Sequence, residues 1–427
     1  MKVFCAPNDR IAAASAGTDV PVVLFSQAEA PGMVSIGATA LHRLTRHKFV
    51  APPRAWDLLS IALSVIAADT AVSRGTSPDG WTREIDLCVA VSDPDFWSSQ
   101  AGILESQLRF LTTDIWSLEF IDGGILPTPP KKEAVKPEQD CVSLLSGGLD
   151  SLIGAIDLAA DGTRKPYLVS QVSKGDKNRQ AHFAATIGGG LPRLELNHNV
   201  KCPWTNERSQ RARSIIFLAY GVLMATALKL YHDGDSVPLY VCENGFISIN
   251  PPLTTGRVGS LSTRTTHPVF IGQFQQLLGA AGLNVTIENP YQFKTKGEML
   301  AECADQVLLE KHAANSTSCG RFGFFGYRHC GRCVPCLIRR AAFHRWGVAD
   351  TTGYVYADLS KDDSDHARFD DVRSAAVAVA EAKADGFDRW IRPRLTAPSL
   401  GNTTPYKQVV SRGLGELEAL FRSAGIK

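Results

Sequence analysis

The sequence of 427 residues lacks the features that mark exported, membrane-bound and nucleic-acid-binding proteins. No long apolar segment follows the start Met1-Lys2, so no secretory leader is predicted and we expect a cytoplasmic protein. The apolar runs are interrupted by tyrosine, glycine or lysine before they reach the length of a membrane span. Lysine plus arginine number 45 and aspartate plus glutamate number 43, and this near balance argues against nucleic acid as a direct substrate.

Two common nucleotide-binding signatures are also absent. The Walker loop needs a long glycine loop that ends in Gly-Lys-Ser/Thr, and the dinucleotide signature needs three spaced glycines. Neither pattern occurs in this sequence, and no internal repeat is evident. The length nevertheless exceeds that of one typical core, and a hydrophobic content of 44% is enough for more than one domain.

The most informative segment that is present is Ser146-Gly147-Gly148-Leu149-Asp150-Ser151, which follows an apolar run and precedes a helical pattern. Two glycines let the backbone approach an anion, and a helix that begins behind them directs unpaired N–H groups toward it. The two serines add hydroxyl donors, and the Asp150 carboxylate is suited to hold Mg²⁺ on a polyphosphate. The alternative interpretation is a serine- and glycine-rich turn that only caps a helix.

Four cysteines form the second informative pattern: Cys319, Cys330, Cys333 and Cys336. Four thiolates gathered so closely suit a tetrahedral structural zinc ion. An iron–sulfur cluster is the alternative, although the cysteine followed by proline of the bacterial ferredoxin pattern is missing. The other six cysteines are scattered among apolar or mixed neighbours, and we expect them to pack as small hydrophobic side chains.

Strand and helix patterns alternate after a proline-rich linker at residues 123–137. Strands are predicted at residues 166–172, 191–197 and 237–243, and helices at residues 176–187 and 208–231. Such alternation predicts an α/β fold with a mostly parallel, doubly wound sheet and ligands at the carboxyl ends of its strands. We expect three parts: an N-terminal α+β domain with its linker (1–135), a nucleotide-binding domain (136–346) and a C-terminal helical extension (347–427).

The segment 146–151 resembles the PP-loop of the N-type ATP pyrophosphatase superfamily. Together with the cysteine cluster and Arg339, it resembles the QueC family of 7-cyano-7-deazaguanine synthases over roughly residues 140–345. The resemblance implies an ATP-dependent ligase that adenylates 7-carboxy-7-deazaguanine and forms a C–N bond, with AMP and pyrophosphate as products. It also implies ATP, Mg²⁺ and Zn²⁺ as cofactors.

The parts outside that region, together with a tryptophan-rich N-terminal part, resemble the QueC-like proteins of bacterial antiviral operons, notably the QatC proteins of the Qat system. This resemblance implies antiphage defence, with the activated deazaguanine passed to the terminal amine of an operon-encoded partner protein. Ordinary synthesis of the nitrile with ammonia stays open as an alternative. A tRNA sulfurtransferase-like enzyme and a non-catalytic nucleotide-sensing subunit also stay open.

Candidate site residues come from the motifs and from polar positions after predicted strands. Nucleotide binding is predicted for Ser146, Gly147, Gly148, Leu149, Asp150, Ser151, Ser173 and Arg213. Catalytic roles are predicted for Asp150, Ser151 and Lys296, whose Lys-x-Glu segment resembles a helix start in PP-loop enzymes and whose ammonium would neutralise charge on the α-phosphate. Substrate binding is predicted for Glu243, Asn244 and Arg264, which flank or belong to a polar segment expected to form a binding loop. Arg213 and Lys296 have an alternative role as solvated residues at helix starts.

Overall fold

The computed structural model describes residues 1–11, 17–128, 133–173, 175–254, 264–361 and 371–426. Its strands form two five-stranded sheets in which all neighbouring strands are parallel. The first sheet contains β1 (Lys2–Ala6), β2 (Val20–Leu24), β3 (Val34–Ile36), β4 (Glu84–Val91) and β5 (Ile115–Asp122). The second contains β6 (Cys141–Leu144), β7 (Pro166–Gln171), β8 (Arg193–Leu196), β9 (Val237–Tyr240) and β10 (Val285–Glu288).

Helices connect the strands and extend beyond the second sheet. The first part of the chain contains α1 (Asn8–Ile11), α2 (Ala38–His47), α3 (Pro53–Ala71), α4 (Pro94–Ser99) and α5 (Ala101–Thr112). The second part contains α6 (Leu149–Ala160), α7 (Lys177–Thr186), α8 (Ser214–Ala225), α9 (Lys229–His232), α10 (Gly245–Ile249), α11 (Pro268–Ala280), α12 (Lys296–Glu302), α13 (Gln306–Ala313) and α14 (Val334–Trp346). The last part contains α15 (Asp371–Ala384), α16 (Phe387–Ile391) and α17 (Thr404–Ser423). Within the described ranges, no helix is long and apolar enough to cross a membrane.

The strand order of the second sheet creates a crevice at its centre. The order is β10-β9-β6-β7-β8, so the chain moves outward from β6 in one direction and then continues on the other side with β9. At such a switch point the loops that follow the two central strands diverge and leave a ligand site at their carboxyl ends. Residues 146–151 follow β6, and Glu243 and Asn244 follow β9. The doubly wound α/β prediction is confirmed for this part, and the fold brings these two segments to one edge.

The expectation of an α+β N-terminal part is corrected to α/β. The first sheet has the order β3-β2-β1-β4-β5 and is also parallel throughout. The starts of β4 and β5 alternate exposed and buried residues. Antiparallel sheets with one solvated face show the same alternation, so the sequence pattern does not distinguish the two arrangements.

Two apolar helices lie between the sheets. In α3, 17 of the 19 residues are buried, and in α8, 11 of the 12 residues are buried. Helices that are apolar on all sides are typical of a protein core. Helix α3 packs on β2, β3 and β4 and also against α8, which in turn packs on β6, β7 and β9. One apolar cluster therefore runs continuously from the first sheet through both helices to the second sheet.

Helix α8 is shorter than the helix predicted at residues 208–231, because a buried carboxylate holds the preceding backbone in another conformation. Asp69 of α3 accepts hydrogen bonds from the backbone N–H groups of Arg211 at 2.7 Å and Ala212 at 2.9 Å. Asp69 also belongs to a buried ion-pair network with Arg74, Arg83 and Asp114. The other strands and helices predicted between residues 166 and 243 are confirmed to within three residues at either end.

Candidate active site and metal centre

The loop between β6 and α6 is closed by its own serines. The Ser151 hydroxyl donates to the Gly148 carbonyl at 3.0 Å, and the Ser146 hydroxyl accepts from the Gly148 N–H at 3.1 Å. Gly147 has φ +86°, a left-handed conformation that favours glycine. Gly148 precedes the first residue of α6 and offers no capping side chain, so the first-turn N–H groups of this 12-residue helix are left to interact with an anion.

Asp150 lies in the first turn of α6 and is surrounded by donors from two other segments. The Lys296 ammonium lies 2.7 Å from Asp150 Oδ1. Asn244 donates to Asp150 Oδ2 from its side chain at 2.7 Å and from its backbone N–H at 3.2 Å. Burial tends to raise the pKa of Asp150, but the Lys296 charge and the hydrogen bonds outweigh it and lower the pKa to about 2. The structure therefore holds an ionised carboxylate and an ammonium group in a buried pair.

Glu243 completes this group as a second carboxyl beside the first. Asn244 Nδ2 donates to Glu243 Oε1 at 3.2 Å, and the carboxyl groups of Glu243 and Asp150 share a hydrogen bond. Burial and then the negative charge of Asp150 raise the pKa of Glu243 well above its usual value. Within this coupled pair the ionised form is therefore favoured at Asp150 and the protonated form at Glu243. The role of Glu243 toward the substrate stays a prediction.

Lys296 owes its position to the way α12 begins. Thr295 and Glu298 form a capping box, in which each side chain bonds to the backbone of the other residue. Helix α17 contacts the same turn. Arg412 Nε of α17 donates to Glu298 Oε1 at 2.6 Å, and the Thr295 hydroxyl donates to Glu416 of α17. The C-terminal helix is therefore part of the support of Lys296.

Glycines allow α17 to approach both elements that hold Asp150. A Cβ on Gly297 of α12 would lie 2.6 Å from Glu416 Oε1. A Cβ on Gly413 of α17 would collide with the ring of Phe246 in α10, the helix capped by Asn244. Lys296 and Asn244 are thus backed by one helix from the end of the chain.

Ser173 and Arg213 lie on the other side of the crevice. Ser173 donates to Asp176 Oδ2 at 2.7 Å and lines a cavity of about 250 Å³ with residues at the start of α7 and with Asn197 after β8. Arg213 is exposed at the start of α8. The pKa of His198 is lowered mainly by its own burial and further by the positive charge of Arg213. His198 bonds to Gln171 at the end of β7. Ser173 and Arg213 are both at the carboxyl edge of the sheet, and neither belongs to the group around Asp150.

Arg264 is turned away from Asp150. Its guanidinium donates to the Phe110 carbonyl of α5 at 2.8 Å and lies 5.0 Å from the centre of the Phe110 ring. It therefore joins the predicted binding loop to the N-terminal part of the chain. Residues 255–263 of that loop lie outside the described residues.

The four cysteines form a buried cluster whose dimensions match zinc. Their sulfur atoms all lie within 4.8 Å of one another. The Cys319–Cys333 and Cys330–Cys336 sulfur pairs are 3.8 and 3.9 Å apart. A tetrahedron of sulfurs at about 2.3 Å from zinc has edges of about 3.8 Å.

Backbone donors also prepare these sulfurs to be thiolates. Cys319 Sγ accepts from the backbone N–H groups of Arg321 at 3.3 Å and Cys330 at 3.4 Å. Cys330 Sγ accepts from the backbone N–H of Cys333 at 3.3 Å. Donors to sulfur favour the charged form that a metal needs. The four cysteines thus fit a zinc ion, and with four protein ligands they fill its coordination.

Comparison with known proteins relates this site to one protein family. A profile of the family described as "Queuosine biosynthesis protein QueC" matches residues 265–347, which contain Lys296 and the four cysteines. A protein named 7-cyano-7-deazaguanine synthase from Rhizobium etli is 31% identical over 252 residues, which cover 52% of this chain and 94% of the relative. The chain belongs to the QueC family. Other relatives with this name, from Rhizobium rhizogenes and Agrobacterium fabrum, are 36% and 28% identical, and each match covers 51% of this chain and 93% of the relative.

The matches to QueC-family relatives leave about half of this chain uncovered. No solved structure matches this chain. Sequence reasoning within the family pattern also missed several residues of the site. Glu416, Arg412, Asp176 and Thr317 contact site segments from distant parts of the sequence. Thr317 alone carried a signal, because it stands two residues before a predicted metal ligand.

Proposed function

We propose that this protein is an enzyme that uses ATP to activate a 7-deazaguanine carboxylate, which an amine then captures. The observation that carries the proposal is the buried group of Asp150, Lys296, Asn244 and Glu243 beside an anion-binding helix start. The names of the relatives support a deazaguanine as the substrate class.

In this proposal, ATP binds across the loop of residues 146–151. The loop N–H groups and the hydroxyls of Ser146 and Ser151 would bind the phosphates, and Ser173 and Arg213 would lie toward the nucleoside. The ionised Asp150 carboxylate fits a Mg²⁺ ligand, and that ion would supply charge neutralisation on the polyphosphate. Lys296 is the cation placed to stabilise negative charge that develops on the α-phosphate.

The proposed reaction has two steps. The substrate carboxylate attacks the α-phosphorus, and pyrophosphate leaves. The resulting acyl-adenylate reacts with an amine, and AMP leaves. Because Lys296 and the loop N–H groups are held before the substrate arrives, they need little reorganisation in the transition state.

The protonated state of Glu243 refines its predicted role toward the substrate. A neutral carboxyl has an O–H donor as well as an acceptor oxygen. Because this O–H is shared with Asp150, the acceptor capacity of Glu243 would face the N–H and amino donors of the deazaguanine ring. The Asn244 amide, bonded to both carboxyl groups, would hold Glu243 in that orientation.

The acceptor amine is proposed to be the terminal amine of a partner protein, as in the QueC-like proteins of the Qat antiviral system. Support comes from the size of the chain: the matches to relatives cover only about half of it. The division into parts at residues 1–135, 136–346 and 347–427 belongs to this proposal, with partner contact assigned to the first part. Ammonia is the second candidate acceptor, because the relatives are named for a nitrile product.

The test is release of AMP and pyrophosphate by purified protein given ATP, Mg²⁺ and 7-carboxy-7-deazaguanine. We expect release that depends on this acid and is lost in Asp150→Asn. The matched control is Asp161→Asn, an exposed position just after the same helix. Absence of acid-dependent AMP would refute the activation step.

Intact-mass spectrometry with the operon-encoded neighbours then identifies the acceptor. A deazaguanine-sized mass gain on a neighbour, absent with Asp150→Asn, would support protein ligation. Free nitrile with ammonia and no protein modification would support ordinary synthesis instead.

A further inference from the structure

The metal-binding segment is joined directly to the nucleotide loop. The backbone N–H of Thr317 donates to the Gly147 carbonyl at 2.9 Å, and Thr317 and Gly148 form a parallel β-bridge. Thr317 precedes the first metal ligand, Cys319, by two residues. A Cβ on Gly148 would lie 3.3 Å from the Thr317 carbonyl, so the two backbones are in close contact. Displacement of Cys319 would therefore move the segment that borders the loop.

The Thr317 side chain extends this connection to the element after β7. Its hydroxyl accepts from Arg179 at 2.6 Å and donates to Asp176 Oδ1 at 3.1 Å. Asp176 also accepts from Ser173, a predicted nucleotide-binding residue. Thr317 thus contacts both the loop after β6 and the segment after β7, which carry the predicted nucleotide-binding residues.

Arg339 fixes the same segment from the metal side. It lies on α14 three residues after the ligand Cys336, and its side chain is fully buried. Its guanidinium donates to the hydroxyls of Ser316 at 2.9 Å and Ser318 at 3.1 Å, the two neighbours of Thr317. The remaining bonds go to the carbonyls of Ala313 and Ser316 and to the Thr352 hydroxyl.

Every acceptor of Arg339 in that set is neutral, which makes the buried charge costly. Four thiolates around a divalent ion carry a net negative charge. Arg339 is on the helix that contains Cys336 and begins directly after Cys333, so the metal complex would offset part of its charge. Metal binding and the order of residues 316–318 are then linked through one side chain.

We propose that the four-cysteine metal site and the nucleotide loop form one thermodynamically coupled unit, connected through Thr317 and Arg339. Metal binding orders residues 316–318, which hold Gly147 and Gly148 in the nucleotide-binding arrangement. The proposal rests on the proposed function only in taking a nucleotide as the ligand of the loop. By linkage, the nucleotide must strengthen metal binding by the same factor that the metal strengthens nucleotide binding.

The experiment measures both directions of the coupling on the full chain. Titration calorimetry gives the Kd of an ATP analogue with a non-cleavable α,β bond, for zinc-loaded and chelator-treated protein. We expect binding to weaken roughly tenfold without zinc, within the range of coupling between sites. At saturation with the analogue, the protein should bind zinc more tightly by a similar factor, so that a higher concentration of a competing chelator is needed to remove half of the zinc.

A zinc-loaded variant keeps the proposal testable where metal removal unfolds the chain. Arg339→Gln should retain one zinc per chain and a folded circular dichroism spectrum, yet bind the analogue several-fold more weakly. Arg340→Gln is the control on the same helix, since Arg340 bonds to the carbonyls of residues 331, 356 and 357 instead. It should bind the analogue as the parent does.

The outcomes separate the coupling from the proposed function. Equal analogue affinity in the zinc-loaded and zinc-free folded protein, or unchanged affinity in folded Arg339→Gln, would overturn the coupling alone. No analogue binding by the zinc-loaded parent would overturn both the coupling and the nucleotide-dependent function.

Discussion

Lys296→Met tests whether the buried ion pair controls the centre of the site. Lys296 and Asp150 are both about 95% buried, and their charged atoms are 2.7 Å apart. Removal of the ammonium leaves the Asp150 carboxylate without its cation, and loss of one partner of a buried pair costs about 3–5 kcal/mol. We expect unfolding by urea to reveal a loss of that size at pH 7.

The pH dependence of this loss gives the prediction its sign. The pKa of Asp150 is about 2 in the folded protein, below a value of about 3.9 in the unfolded chain. At pH values above the unfolded pKa the ionised carboxylate therefore contributes on the order of 2–3 kcal/mol of stability, and this contribution is lost as the pH falls through 4 toward 2. In Lys296→Met the uncompensated burial raises the pKa of Asp150, so the difference between parent and variant should shrink as the pH falls from 7 to 3.

Two further variants distinguish this explanation from a general loss of packing. When Asp150→Asn is added to Lys296→Met, the double variant should recover part of the stability that Lys296→Met loses, because the unpaired buried charge is then gone. Lys294→Met is the control, since Lys294 forms an exposed pair with Glu302, and such pairs contribute about 1 kcal/mol or less. The reasoning is refuted if the Lys296→Met loss is independent of pH or no larger than that of Lys294→Met.

Three further predictions concern neighbouring positions. Burial and then the charge of Asp150 raise the folded pKa of Glu243, so the stability from its protonated form is present below the unfolded pKa and is lost as the pH rises above it; Glu243→Gln should remove that loss in urea denaturation curves. Burial likewise raises the pKa of Glu416 to about 7, so Glu416→Gln should remove a decline in stability between pH 4 and 7, whereas Glu418→Gln on the same helix should keep it. Gly147→Ala forces a left-handed φ of +86° on alanine, costing about 1–2 kcal/mol, and should weaken ATP-analogue binding measured by calorimetry more than Gly162→Ala, at a left-handed turn after α6 with open space around it.

Local patterns made the second sheet and the metal cluster predictable. The strands that begin at residues 166 and 237 are short apolar runs bounded by turns, and their limits are set by nearby residues. The four cysteines are close in sequence, so their gathering needs only one loop. The placement of residues 146–151 at a switch point also follows from a strand order that is common to doubly wound folds.

Contacts between distant segments account for what could not be predicted. The break before α8 depends on Asp69, more than 140 residues earlier in the chain. Arg264, whose role toward the substrate stays a prediction, donates to the Phe110 carbonyl of α5, which is 154 residues earlier in the chain. No periodicity relates Glu416 to Thr295, because the contact exists only once α17 packs on α12. Each of these residues responds to a tertiary partner rather than to its sequence neighbours.

The two sheets share one strand order, yet within the described part of the chain only the second has a glycine pair between its central strand and the following helix. After β1 the chain continues with Pro7 and Asn8 into a helix of four residues, with no glycine pair. Strand β4 has the position in the first sheet that β9 has in the second. Ser92, which follows β4, donates two hydrogen bonds of 2.8 Å to Asp57 of α3. At the switch point of the first sheet, these contacts hold α3 in place. Helix α3 packs against α8, which packs on the second sheet. The first sheet therefore supports the site only through packing. Substitutions at Asp57 should lower the stability of the chain more than they lower its affinity for the nucleotide.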